Sequence, residues 1–187
     1  LGKFRIEFIK TNHSIQDASA LAIYSPAGIV VHTGDFKVDY TPVFGDAIDL
    51  QRFAEIGKKG VLALMSDSTN AERPGFTQSE RTVGATFDRL FAEHSNTRII
   101  VATFASNVDR VQQIINTSYK YGRKVVVEGR SMVNIISVAS ELGYLNVPEN
   151  TLIETDQLKN YPREKTTIIT TGSQGESMAA LSRMAAD

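Results

Sequence analysis

The stretch Ile99-Ile100-Val101-Ala102-Thr103-Phe104 is a short apolar run with no polar alternation. That is the pattern of a strand buried on both faces of a parallel sheet. Three more runs read the same way, at residues 61–65, 125–127 and 167–170. Helical periodicity separates them. Val83, Phe87, Leu90 and Phe91 recur at i, i+4, i+7 and i+8; Val108, Val111 and Ile115 at i, i+3 and i+7; Met132, Ile135, Ile136 and Ala139 repeat the pattern. Thr77-x-x-Glu80 has the form of a capping box opening the first of these helices. Strand alternating with helix implies right-handed crossovers and a layered α/β domain.

Upstream the grammar is antiparallel. Phe4, Ile6 and Phe8 alternate with Arg5 and Glu7, the period of a half-buried strand. Apolar runs at 18–24 and 29–31 flank Pro26-Ala27-Gly28, which reads as a hairpin. A short helix over 49–57 follows, with Leu50, Phe53 and Ala54 on one face. Residues 71–75, ending in Pro74-Gly75, divide the two styles, so the domains expected are 1–75 and 76–187.

Composition excludes several classes. The 187 residues are 42% hydrophobic and 22% charged, an ordinary globular balance long enough for a sizeable core. The absence of cysteine rules out disulfides, thiolate zinc sites and cysteine nucleophiles, and it suits a reducing cytoplasm. No run approaches the roughly 18 apolar residues of a membrane span, and no signal peptide opens the chain. Leu1 stands inside an apparent strand without an initiator Met, so a fragment is expected. Such a fragment would leave Phe4, Phe8 and the hairpin as an exposed apolar patch. Net charge is −1, yet residues 98–130 set Arg98, Arg110, Lys120, Arg123, Lys124 and Arg130 against Asp109 and Glu128. Such a cluster attracts phosphate or is merely a solvated face.

The four apolar runs end in Ser66-Asp67-Ser68-Thr69-Asn70, Thr103-Phe104-Ala105-Ser106-Asn107, Gly129-Arg130-Ser131 and Thr171-Gly172-Ser173-Gln174-Gly175-Glu176. In an open parallel sheet such carboxyl ends share one edge, where ligands bind. Helix N-termini there offer free N–H groups to phosphate, and Arg130 adds a forked donor. Taken singly, each loop reads equally as a helix cap. Among the histidines, His13 follows the first strand in Asn12-His13-Ser14 and His32 precedes Thr33-Gly34-Asp35. Neither forms a local chelating motif, and turn roles suit His13 and Asp35 alone. His94 reads as surface.

In order and spacing, Asn12-His13-Ser14-Ile15-x-Asp17, Val31-His32-Thr33-Gly34-Asp35-Phe36-Lys37 and the four-loop series beginning with Ser66-Asp67-Ser68-Thr69-Asn70 resemble the ribonuclease J family. These are metallo-β-lactamase-fold nucleases of the β-CASP subgroup, and the likeness covers nearly the whole chain. The resemblance implies an α/β fold: a remnant of a metallo-β-lactamase αββα domain, then the parallel-sheet first part of a β-CASP domain. It implies that His13 is a metal ligand and that Asp35 bridges two divalent ions, zinc or manganese. Asp67 would support catalysis by hydrogen bonding, and His32 would be structural. Phe104, Ser106, Asn107, Arg130, Ser131, Gly172 and Ser173 would bind RNA or its 5′-phosphate.

The implied activity is hydrolysis of RNA phosphodiesters, as a 5′–3′ exonuclease and an endonuclease in cytoplasmic RNA and rRNA processing. Implied partners are RNA, the remainder of the same polypeptide and further copies of the full-length protein, with no membrane. The HxHxDH motif that supplies most ligands in the family is absent, as are its later histidine motifs. The chain alone is therefore expected to be inactive. The alternative from another class is a phosphosugar- or nucleotide-binding α/β module without metal chemistry; a non-catalytic interaction domain has no positive feature in its favour.

Overall fold

The computed structural model describes residues 2–186, so Leu1 and the strand start expected there lie outside the described residues. Two compact units divide between Ser79 and Glu80. In the first, β1 (Arg5–Lys10), β2 (Ser19–Ser25), β3 (Gly28–His32) and β4 (Ala63–Met65) form one sheet in that order. β2 pairs antiparallel with both β1 and β3, whereas β4 runs parallel to β3. The β2–β3 hairpin turns at Pro26-Ala27, where Ser25 Oγ donates to the Gly28 carbonyl at 3.0 Å and accepts from Ala27 N–H.

Helix α1 (Leu50–Gly57) starts at Asp49, whose side chain accepts from Arg52 N–H at 2.9 Å. It packs Ile56 and Phe53 on one sheet face, against Ile9, Ala20, Ala22 and Val31. Arg52 reaches back over that face and grips the Glu7 carboxylate with Nε and Nη2. Because strand side chains alternate, turning Glu7 and Ile9 to the helix leaves Phe4, Ile6 and Phe8 on the other face. They are exposed, Phe8 at 74%, as expected of Phe4 and Phe8, whereas the apolar residues of the hairpin strands, expected to extend that patch, are buried or half-buried.

The run at 61–65 corrects one expectation. It does not join the later parallel strands; it forms β4 at the edge of the first sheet, with Leu62 and Leu64 exposed. A continuous apolar run specifies a strand but not which sheet it joins.

The second unit holds α2 (Glu80–Glu93), β5 (Ile99–Ala102), α3 (Val108–Lys120), β6 (Lys124–Glu128), α4 (Arg130–Glu141), β7 (Thr166–Thr170) and α5 (Ala180–Ala186). Its three strands are all parallel in the order β5-β7-β6. Central β7 is buried along its length, as its unalternating sequence required; edge strand β5 leaves Ile100 47% exposed. The core joins Phe87 and Phe91 of α2, Val111, Ile114 and Ile115 of α3, Met132 and Ile136 of α4, and Val125 and Ile169 of the sheet. These helical faces are the ones the periodicity marked. The capping box is corrected: α2 begins at Glu80, beyond Thr77, and the Glu80 carboxylate binds Arg110 of α3, Nη2 to Oε1 at 2.6 Å. No helix among the described residues is long and apolar enough to cross a membrane.

Candidate functional site

In the first unit β1, β3 and β4 run in one direction, so their carboxyl ends share an edge. The segments leaving it carry His13, Asp35 and Asp67. Backbone bonds clasp them together. Lys37 N–H donates to the Asn12 carbonyl at 2.8 Å, Thr33 N–H to Met65 at 3.0 Å, and Asp67 N–H to Thr33 Oγ1 at 3.0 Å. Buried Asn12 anchors the base, accepting from Ile48 N–H and donating to the Asp46 carbonyl. Gly34, at φ +60°, makes the turn before Asp35; a side chain would be strained and its Cβ would lie 3.2 Å from the Ser19 carbonyl.

His13 Nε2 lies 3.9 Å from Asp35 Oδ2 and 3.3 Å from Ser14 Oγ. Asp67 Oδ1 accepts from the hydroxyl and N–H of Thr69, at 2.7 and 2.9 Å. The Thr69 hydrogen bonds, then Phe36 N–H and the nearby His13, hold the Asp67 carboxyl below its ordinary value. His32 is turned elsewhere: its Nδ1 accepts from Gly34 N–H at 3.0 Å, which puts the ring proton on Nε2 when neutral.

An imidazole nitrogen and a carboxylate oxygen are the donor types that borderline divalent cations take. Their 3.9 Å separation and partial exposure leave both free to turn toward one ion. Two ligands fall short of the three protein ligands of a catalytic zinc site. Among the described residues there is no group of three or more His, Asp or Glu that could hold a metal ion. The pair fits part of a metal site.

The second unit's carboxyl edge holds three of the expected phosphate loops; the fourth, with Asp67, belongs to the other sheet. Asn107 is a cap: it is buried and its side chain accepts from Arg110 N–H at 3.1 Å. Helix α4 differs. Gly129 stands at its N-cap and has no side chain to offer, so the first-turn N–H groups lack that partner. Arg130, Ser131 and Asn134 face a cavity of about 580 Å³ with Thr171 and Arg183. No carboxylate lines it among the described residues. Phe104, Ser106, Asn107, Gly172 and Ser173 do not line it. Gly172 packs tightly instead, since a Cβ there would meet Leu181 Cβ at 2.9 Å and Ala179 Cβ at 3.0 Å.

The basic cluster of 98–130 resolves residue by residue. Arg98 donates to Thr166 Oγ1, Arg110 to Glu80, Lys120 to Asp88 and Lys124 to the Asn150 carbonyl. Arg123 is buried and spends its guanidinium on the His94, Thr97 and Thr166 carbonyls; desolvation draws its pKa below the ordinary arginine value. Of this cluster, Arg130 alone faces the cavity. Sequence reasoning missed Asn134 and Arg183 there. Asn134 could have been found as the i+4 neighbour of Arg130 on one helix face; nothing in the sequence pattern marks Arg183.

The family model described as ribonuclease J, beta-CASP domain, matches residues 96–187. The chain is 50% identical over 185 residues to ribonuclease J of Synechocystis sp., covering 98% of this chain and 29% of that protein. To ribonuclease J of Helicobacter pylori strain J99 it is 50% identical over 187 residues, 100% of the chain and 27% of the relative. To ribonuclease J2 of Bacillus subtilis it is 44% identical over 182 residues, 97% and 32% of the two chains. The chain thus spans roughly three-tenths of the length of these relatives. A solved protein of unknown function from Enterococcus faecalis V583 shares the fold, with a TM-score of 0.64 at 19% identity, covering 93% of this chain and 43% of that one.

Proposed function

Because the chain belongs to the ribonuclease J family, we propose that it is part of a metal-dependent ribonuclease that hydrolyses RNA phosphodiesters. The observation that carries the reading is the meeting of His13 Nε2 and Asp35 Oδ2 at 3.9 Å, with Asp67 oriented alongside by Thr69. His13 and Asp35 would hold divalent metal, zinc or manganese, with further ligands from the rest of the polypeptide. A divalent ion bound there supplies Lewis acidity at a phosphoryl oxygen and lowers the pKa of water. Asp67, kept ionised by its donors, would orient neighbouring groups through hydrogen bonds. The rest of the polypeptide would also cover the open face carrying Phe4, Ile6 and Phe8.

In the second unit Arg130, Ser131 and the first-turn N–H groups of α4 would receive a 5′-terminal phosphate. A terminal monophosphate carries more charge and more acceptor oxygens than a diester, and this cavity offers more donors than one diester can use. That feature supports 5′–3′ exonuclease action alongside internal cleavage, in cytoplasmic RNA and rRNA processing by a homo-oligomer.

The test is cleavage of single-stranded RNA by the complete polypeptide carrying this chain. We expect activity that a chelator abolishes and that His13→Ala or Asp35→Ala lowers by at least about a hundredfold, the scale on which losing a metal or its ligand acts. Undiminished cleavage by both variants would overturn the reading.

A further inference from the structure

The first unit also holds a cavity of about 300 Å³ beside Asp67, to which the reading above assigns no ligand. Phe36, Phe76, Asp67, Ser68 and Asn70 line it. Phe76 is 92% exposed, the most exposed large apolar side chain among the described residues. A phenyl ring held in water forfeits its hydrophobic stabilisation, and Phe76 stacks on no other ring among the described residues. Polar groups border it. The Asn70 side-chain amide has no hydrogen-bond partner among the described residues. The Ser68 hydroxyl donates to the Ser66 carbonyl at 3.0 Å, which leaves its lone pairs free to accept. An open aromatic face beside an amide that both donates and accepts is what a planar heterocycle with a polar edge needs.

We propose that this cavity binds one unpaired nucleobase of single-stranded RNA, stacked on Phe76 with its edge turned to Asn70 and Ser68. The inference deepens the ribonuclease reading and rests on it. Asp67 lines the cavity, and its N–H donates to Thr33 Oγ1 in the segment that carries Asp35, so the stacked base belongs to a nucleotide close to the scissile phosphate. Stacking accepts every base, since each has a π face, and it excludes duplex RNA, whose faces are already covered by neighbouring pairs. Phe76 is thus a positioning residue: it selects single strands and fixes their register. A protein partner would cover an exposed phenylalanine too. Here the cavity suits one planar group, far below the area of a stable protein interface, and its rim is polar.

The test uses the complete polypeptide and a non-cleavable single-stranded oligoribonucleotide, with abasic positions placed in turn along it. We expect Phe76→Ala to weaken binding of the intact strand by about tenfold or more, the scale of one base–aromatic stack. We expect Phe76→Tyr to restore it. One abasic position should weaken the unaltered polypeptide equally and leave Phe76→Ala with no further loss. Equal weakening by Phe76→Ala at every abasic position, or no weakening of the intact strand, would overturn the inference while the ribonuclease reading stands. So would a change of oligomeric state with RNA binding intact, which would make Phe76 a protein contact. An unaltered polypeptide that binds no RNA would overturn both.

Discussion

His13 and Asp35 leave the ends of β1 and β3, two strands that flank β2 and point the same way, and that shared direction sets Nε2 3.9 Å from Oδ2. Had β3 been the antiparallel neighbour of β1, its end would lie at the opposite edge. The hairpin at Pro26-Ala27 therefore does functional work far from the pair it aligns: it returns the chain so that β3 ends where β1 ends.

The ligand count gives the first expectation. The 187-residue chain by itself offers His13 and Asp35 and no larger His, Asp or Glu group among the described residues. Two ligands hold zinc or manganese weakly. Isothermal titration with either metal should give micromolar or weaker affinity and no ribonuclease activity. Robust RNA cleavage by the isolated chain, lost in His13→Ala, would contradict it.

The cavity at α4 predicts a substrate-selective loss. Arg130→Ala and Arg183→Ala in the complete polypeptide should each weaken binding of 5′-monophosphorylated RNA by about 1–3 kcal/mol, the range for a charged hydrogen bond. Binding of 5′-hydroxyl RNA should change less. Equal losses on both substrates would mean that these arginines meet only backbone charge; no loss on either would leave the loops as helix caps.

A pH dependence follows from Glu7. The two hydrogen bonds from Arg52, then that from Tyr24, hold its carboxyl at about 2, against an ordinary 4.5. A depressed folded-state pKa stabilises the fold above the unfolded value and loses that contribution as pH falls through the folded one. The first unit should therefore weaken between pH 4.5 and 2. Arg52→Met should move its acid transition upward toward 4.5, followed by circular dichroism. An unchanged transition would show that the pair contributes nothing in solution.

Gly172 makes a stability prediction. It sits at φ +112° with Leu181 Cβ 2.9 Å and Ala179 Cβ 3.0 Å from where a side chain would begin. Both contacting atoms are Cβ carbons bonded to the backbone, which no side-chain rotation moves aside. Gly172→Ala should cost about 1–3 kcal/mol through strain and overpacking, read by chemical denaturation. A neutral result would show that the turn into α5 relaxes freely.

The helical faces of α2, α3 and α4 were legible because apolar spacing and burial share one cause, and so was the hairpin, through its turn residues. The sheet assignment of residues 61–65 was not legible. Val31 pairs with Leu64 across a parallel ladder that no local pattern announces. The basic cluster stayed open for a related reason: a charge count cannot see that Arg123 faces three carbonyls or that Arg110 faces Glu80. Arg183 stayed hidden because its place beside Arg130 depends on how α5 folds back over the end of β7, where Leu181 N–H donates to the Thr171 carbonyl. The pairing of His13 with Asp35 was legible only through the family resemblance, since each alone reads as a turn residue; the strand order explains why they meet.

The most direct test is anomalous diffraction at the zinc edge, or the manganese signal, from crystals of the complete polypeptide carrying this chain. We expect a peak at bonding distance, about 2.0–2.2 Å, from both His13 Nε2 and Asp35 Oδ2. Metal bound elsewhere, with those two side chains unliganded, would contradict the metal-dependent reading of this site.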